Sequence, residues 1–343
     1  MMNQKLTTNI IENEELQRFY SEKFYFSYSS INKLLFSPRL FYSHYILNQK
    51  EDSTAAHLVA GRALHCLLLE PDNFDEQFVM LPGKIPTESN KVIIDYIFYN
   101  FYIPANNNTL LLEDFPNELL GQMIVNNLYQ SLKTDAQRLE KLLTDNNKEY
   151  FEFLKIKETK IVIDPAVKQQ AEQSLEAIKA NDRIKALLQL DADKPLGISV
   201  FNELALKSDL ETQSFGFKGI LDNVVMDENT KTLFVNDLKT TNKSIQDFPE
   251  TVNYHRYDIQ ATLYTGLAYE NFLKDKPDAN EWKIVFTFIV IDKYNLVYPF
   301  QVSEETMAIW LENLTEVVQQ VSYHYDNADY TLPYELAIGN IKL

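Results

Sequence analysis

The chain has 343 residues, 45% of them hydrophobic and 13% aromatic, with 49 acidic against 32 basic side chains and a formal net charge of −17. This apolar content is enough for one large core or two modest ones and excludes a disordered tail, while the lack of any run of eighteen apolar residues argues against a membrane span. The single cysteine, Cys66, excludes an internal disulfide and a cysteine-rich zinc or iron–sulfur site, and reads as a small buried apolar residue.

In chain order, the opening MMNQKLTTNIIENEE lacks the basic and apolar regions of a signal peptide, so a cytoplasmic protein is expected. Residues 27–48 and 56–70 read as helices. The stretch 81–118, containing FYNFYIPANNNT, has prolines, an asparagine run and no sustained period, and is read as a loop-rich insertion. Helical patterns resume over 117–148. Pro165 begins a further helix, with Asp164 as its cap. Three short strands follow, ISVFNELAL, GFKGILDNVVM and TLFVNDL, the last two joined by the polar turn DENTK. A helix carrying Gln260 and Tyr264 comes next, then strands WKIVFTFIVI and LVYPFQV around DKYN. Ser303 caps a closing helix to about 325, helped by Glu304 and Glu305 in its first turn. The order is αβββαβ, an α/β arrangement. Residues 1–160 form a helical portion and 161–343 the core, read together as one compact unit.

The chemistry concentrates between Phe215 and Tyr264. Asp237 and Lys239 are two apart on a strand, so they project from one face. Asp222, near the end of the preceding apolar strand, can lie beside them. Two carboxylates without thiol or aromatic ligands make a hard oxygen site of the kind that takes magnesium or manganese. Acids flanked by apolar strands are costly to bury unpaired, a cost that metal coordination meets. An adjoining lysine can hold or activate a water aimed at a phosphate, the arrangement expected for phosphodiester hydrolysis. An acid, one residue and a lysine also recur by chance, and the alternative is a solvated strand edge. Gln260 and Tyr264 share one helix face, and the alternative for Tyr264 is packing on the sheet.

At these residues the chain resembles the PD-(D/E)XK nucleases, with Asp222 in the place of the first acid and Asp237, Leu238 and Lys239 forming the D-X-K element. Further segments extend the likeness in consistent order. YFSYSSINKLLFSPRLFYSHYI resembles the opening helical segment of recombination nucleases, GRALHCLLLEP the histidine helix of RecE-type exonucleases, and QSLEAIKANDRIKALL the helix before the nuclease sheet. Gln260 and Tyr264 match the Q-x-x-x-Y helix. The resemblance implies a mixed central sheet with a helical N-terminal portion. It also implies a Mg2+-dependent exodeoxyribonuclease, with Mn2+ able to substitute, that degrades one strand of duplex DNA from its 5′ end. Such an enzyme hands the 3′ overhang to a single-strand annealing protein, in a phage or prophage setting, and works as a ring-shaped homo-oligomer. By the same resemblance Asp222, Asp237, the Leu238 backbone carbonyl and His65 are metal ligands. Lys239 stabilises the developing charge, Glu203 on the first strand is metal-linked or orients water, and Gln260 and Tyr264 contact the scissile strand or the lysine. Without the motif, a lone histidine on an apolar helix would read as core. Two alternatives stay open: a repair or defence endonuclease of the same fold, and a non-catalytic DNA-end-binding subunit.

The charge of −17 opposes DNA binding, because phosphate contacts normally come from lysine and arginine. At physiological salt, however, the field of an acidic exterior fades within about 8 Å, so a local positive groove suffices. Candidates for it are Lys33, Arg39, Arg62, Lys218, Lys243 and Arg256, each of which can equally be an ordinary exposed cation.

Overall fold

A computed structural model describes residues 14, 17–49, 56–157, 159–191 and 193–340. The chain forms two compact units, one comprising Met1–Thr54, Leu68–Glu70 and Gln173–Leu343, the other Ala55–Leu67 and Pro71–Glu172. The backbone passes between them more than once, so a division at residue 160 coincides with neither. Among the described residues no helix is long and apolar enough to cross a membrane.

The strands, in chain order, are β1 (Tyr25–Phe26), β2 (Phe78–Met80), β3 (Ile161–Ile163), β4 (Ile198–Asp209), β5 (Gly216–Asp227), β6 (Thr232–Thr241), β7 (Lys283–Asp292) and β8 (Val297–Gln301). The helices include α1 (Tyr28–Phe36), α2 (Ala56–Leu69), α3 (Glu88–Ile97), α4 (Pro165–Ala180), α5 (Asp182–Leu188), α6 (Phe248–His255), α7 (Tyr257–Ala268) and α8 (Glu304–Asn327). Several begin where local chemistry dictates. Asp164 Oδ1 accepts the Ala166 N–H at 2.8 Å ahead of α4, and Ser303 Oγ accepts the Thr306 N–H at 3.1 Å ahead of α8.

In the smaller unit β2 and β3 pair in parallel. Its core gathers Ile93, Ile97, Phe98, Leu119, Met123, Phe151 and Leu154. The stretch expected to be loop-rich is largely helical here, because α3 continues through a π-helical turn, Phe98–Tyr102, into Ile103–Ala105. Ile93, Ile94, Ile97 and Phe98 are buried at helical spacing. The neighbouring prolines and the run Asn106–Asn108 hid that period, and they fall at or beyond the ends of the helical run.

The larger unit is built on a six-stranded mixed sheet. β4 runs antiparallel along β5, β6 is parallel to β7, and β8 forms an antiparallel edge. β5 has two neighbours on its other edge: β1 at Gly216 and Phe217, and β6 from Asn223 to Asp227. Between those contacts β5 and β6 part, with β6 continuing along β7 to Thr241. The result is a fork whose last rung is Asn223 opposite Asn236. Phe26, Phe41, Phe215, Val235, Phe248, Phe286 and Phe288 belong to the core of this unit.

A row of amides lies at the fork. Asn236 Nδ2 donates to Asn223 Oδ1 at 2.8 Å, and Asn223 Nδ2 donates to Asn202 Oδ1 at 2.9 Å, linking β6, β5 and β4 in register. The same three side chains reach helix ends. Asn236 donates to the Leu187 carbonyl, Asn223 to Leu188 and Asn202 to Leu69. Asn223 and Asn236 are 0% and 1% exposed, so these bonds replace water entirely. Asn223→Ala strands partners on both neighbouring strands and at the α5 carbonyl. It should cost about 2–4 kcal/mol in urea unfolding, from several bonds worth about 1 kcal/mol each and the unsatisfied groups left behind. A loss below about 0.5 kcal/mol would mean the amide row does not hold the strands.

Candidate active site

Each asparagine of the row has an acid as its sequence neighbour: Asn202–Glu203, Asp222–Asn223 and Asn236–Asp237. Fixing the amides therefore fixes the carboxylates. Asp222, 9% exposed, stands where the fork opens. Its Oδ2 accepts the Leu238 N–H at 2.6 Å, so the carboxylate takes the place that a β5 carbonyl would occupy in a continued ladder. Asp237 is fully buried. Its Oδ1 accepts from Gln260 Nε2 at 2.9 Å and its Oδ2 is ion-paired with Lys239 Nζ at 2.5 Å. The shared face expected of Asp237 and Lys239 is present, and α7 brings Gln260 to it.

Glu203 sits in β4 with φ 45°, a left-handed conformation that a residue with a side chain rarely adopts inside a strand. The ladder runs Asn202↔Asn223 and Leu204↔Leu221 on either side of it. Across this point the residues that join the main core change parity, from Phe201 to Leu204 on β4 and from Leu221 to Val224 on β5. Val200 and Leu204, which flank Glu203 on β4, are accordingly only half-buried. The donor oxygens of Glu203 and Asp222 lie within 4.8 Å of one another.

Lys239 is held on two sides. Opposite Asp237, its ammonium lies 4.9 Å from the centre of the Tyr257 ring, a cation–π contact in a site with little water. Burial alone would lower its pKa, but Asp237 and then Asp222 more than offset this and hold it above the ordinary lysine value. A group raised in this way keeps its proton at every pH below its ordinary value and loses it only as pH climbs through the higher folded one. Lys239 is thus held as a cation throughout the neutral range. Burial also raises the Tyr257 phenol, and Tyr257 stacks on His255 at 5.3 Å. The His255 imidazole is pushed down by burial, with Lys243 and Lys239 adding to the effect.

Tyr264 packs on the sheet. A Cβ placed on Gly219 would meet its ring at 2.7 Å, so the strand approaches α7 closely only because that residue is glycine. Burial raises the Tyr264 phenol, and Asp237 adds to the effect. His65 lies on α2, whose last residues, Leu68 and Leu69, belong to the larger unit. Of the suggested DNA contacts, Lys218, Lys243 and Arg256 are exposed on the larger unit. Arg39, also exposed there, donates through Nε to the Thr331 carbonyl at 3.3 Å, and Arg62 is exposed on α2. Sequence reading missed Tyr257 and the three asparagines. Tyr257 opens the same YDIQATLY segment three residues before Gln260, and the recurrence of asparagine beside each acid was a visible signal.

The family model of the PD-(D/E)XK nuclease superfamily matches residues 118–331, more than half of the chain and inclusive of Glu203, Asp222, Asp237, Lys239, Gln260 and Tyr264. The chain belongs to the PD-(D/E)XK nuclease superfamily. Its mixed sheet flanked by α5 and α7 is the fold of that superfamily, and its activity is that of a nuclease. A comparison with curated proteins finds no match. Among solved structures, a "Putative exonuclease" from Eubacterium rectale is similar to the chain at 12% identity, over 93% of this chain and 89% of its own. Its TM-score is 0.44, too low to carry an argument about function.

The contact of Gly219 with Tyr264 gives a direct test of how α7 is seated. Gly219→Ala should lower stability by about 1–3 kcal/mol through overpacking. Trimming the opposing ring in Gly219→Ala/Tyr264→Leu should recover part of that loss, read as non-additive unfolding free energies. Strict additivity would show that the two residues do not press on each other.

Proposed function

We propose that the fork of β5 and β6 is the active site of a divalent-metal-dependent deoxyribonuclease that works from duplex DNA ends. The observation that carries this reading is the arrangement in one place of the Asp237–Lys239 pair at 2.5 Å and the Glu203 and Asp222 carboxylates within 4.8 Å. Their oxygens are a hard donor set and fit Mg2+, or Mn2+, rather than a softer metal. Glu203 and Asp222 would hold the cation. The motif GRALHCLLLEP assigns His65, one turn before Leu69 on α2, as a further ligand, and the D-X-K resemblance adds Asp237 and the Leu238 carbonyl. When bound, the cation supplies Lewis-acid polarisation of a phosphoryl oxygen and a lowered pKa for its water.

The protein groups do the rest. Lys239, already cationic and desolvated, stabilises charge that develops on the phosphoryl oxygens, with no reorganisation needed at that moment. Gln260 fixes the Asp237 carboxylate, and Asp237 with Tyr257 fixes the ammonium. A DNA-end-binding subunit without catalysis would have no use for so costly a buried pair. The exonuclease reading rests on the likeness of the histidine helix to RecE-type enzymes. With it go a closed homo-oligomer around the duplex and a single-strand annealing protein as partner.

Purified protein in magnesium should shorten linear duplex progressively, leave relaxed closed circles intact and release strands with 5′-phosphates. Circles cut as fast as linear DNA would replace the exonuclease by an endonuclease of the same fold. Asp222→Asn, Asp237→Asn and Lys239→Ala should each lower the hydrolysis rate by about 10²–10³-fold or more, roughly 3–4 kcal/mol of barrier. Near-normal turnover in any of the three would remove that residue from the mechanism. His65→Ala should raise the magnesium concentration needed for half-maximal rate, and an unchanged titration would return His65 to a packing role. Light scattering should give a mass that is a multiple of 40.0 kDa.

A further inference from the structure

The far end of the β4–β5 hairpin carries a second feature that the site chemistry does not use. Lys207 and Lys218 stand directly opposite each other on adjacent strands. Like charges in that position repel and cost stability, so their pairing needs a reason. Both are exposed, and among the described residues neither makes an ion pair. Each is seated on an aromatic ring instead, Lys207 5.3 Å from the Tyr25 centre and Lys218 5.7 Å from the Phe24 centre. Lys23 approaches the Tyr25 ring from 5.8 Å and is paired with Asp209 at 2.7 Å. Gly216 lets Tyr25 lie against the hairpin, since a Cβ there would meet the ring at 2.6 Å. Three ammonium groups thus converge around two rings with one carboxylate among them, in a chain whose net charge is −17.

Position gives the cluster its meaning. Lys218, Ile220 and Asp222 are alternate residues of β5, and Ile220 is 54% exposed. The row runs from the lysine rung along one strand to the acid at the fork, about 13 Å for four residues at the usual strand rise. That is roughly the axial rise of four phosphates on one strand of B-form DNA. The geometry points to the outer face of the β4–β5 hairpin as the track for the DNA backbone leading into the fork, with Lys207 and Lys218 as phosphate contacts and Lys23 as a weaker third. This rests on the nuclease reading for its occupant, and on the paired lysines of the rung for its place. It also answers how an acidic protein holds a polyanion: three ammonium groups gather around two rings with Asp209 as the one carboxylate among them, within a Debye length of the phosphates.

The test measures affinity for a labelled linear duplex by fluorescence anisotropy in EDTA, so that no cutting occurs, across about 50–200 mM salt. Lys207→Ala/Lys218→Ala should weaken binding at least tenfold at the lower salt and reduce the slope of log affinity against log salt by nearly two, with Lys23→Ala having a smaller effect. An unchanged affinity and slope in the double variant would overturn the track, as would a wild-type protein that binds no duplex. Competition by polyglutamate as effective as unlabelled duplex would reassign the face to an acidic protein and overturn it equally. The two readings separate cleanly. If the double variant loses binding while wild type fails to hydrolyse DNA in magnesium, the track stands and the nuclease reading falls. If wild type hydrolyses and the double variant binds normally, the reverse holds.

Discussion

Everything at the site depends on three asparagine side chains that bond to one another across β4, β5 and β6. A strand that slips by one residue turns every side chain to the opposite face. Here such a slip would carry Glu203, Asp222 and Asp237 away from their positions together. Apolar pairs elsewhere in the sheet tolerate near-equivalent registers, because their attraction is not directional. The amide row does not, since buried Asn223 and Asn236 must meet their partners at about 3 Å or leave unsatisfied polar groups in the interior. The row also ends where β5 and β6 part, so one device both fixes the register and marks the mouth of the fork.

Opening the fork creates a deficit that the acids fill. Past Asn223 and Asn236 the backbone of β6 has no β5 neighbour, and the Asp222 carboxylate takes the Leu238 N–H instead. Glu203 contributes from β4 only because its backbone is forced to φ 45°, a local cost of about 1–3 kcal/mol that the paired strands on either side sustain. Lys239 is desolvated at further cost, offset by Asp237 and the Tyr257 ring. Strain and burial of this sort accumulate where a protein uses them. The asparagine row, with its many bonds, supplies the rigidity that tolerates them.

The charge distribution is organised on the same hairpin. Its fork end gathers the carboxylates of Glu203 and Asp222, while its far end sets Lys207 opposite Lys218 with Asp209 close by. The surplus of acid elsewhere does not reach either place through physiological salt. A net charge of −17 therefore describes the protein's average and not its working face.

Legible in the sequence alone were the order of β4–β8 with α7 and α8, the common face of Asp237 and Lys239, the helical spacing of Gln260 and Tyr264, and the caps at Asp164 and Ser303. These are local properties, set by periods of 2 and 3.6 and by the chemistry of one or two neighbours. It also placed an asparagine beside each acid, although nothing local says that the three would meet. Tertiary structure decided that meeting, the parting of β5 from β6, the left-handed turn of the backbone at Glu203 and the contact of Tyr257 with Lys239. It likewise made a helix of residues 88–97, where buried Ile93, Ile94 and Ile97 outweigh the prolines and asparagines around them. It set Lys207 against Lys218. Each of these depends on which strands pair, in what register and how closely a helix approaches, and such contacts join residues too far apart in the chain for any local pattern to fix.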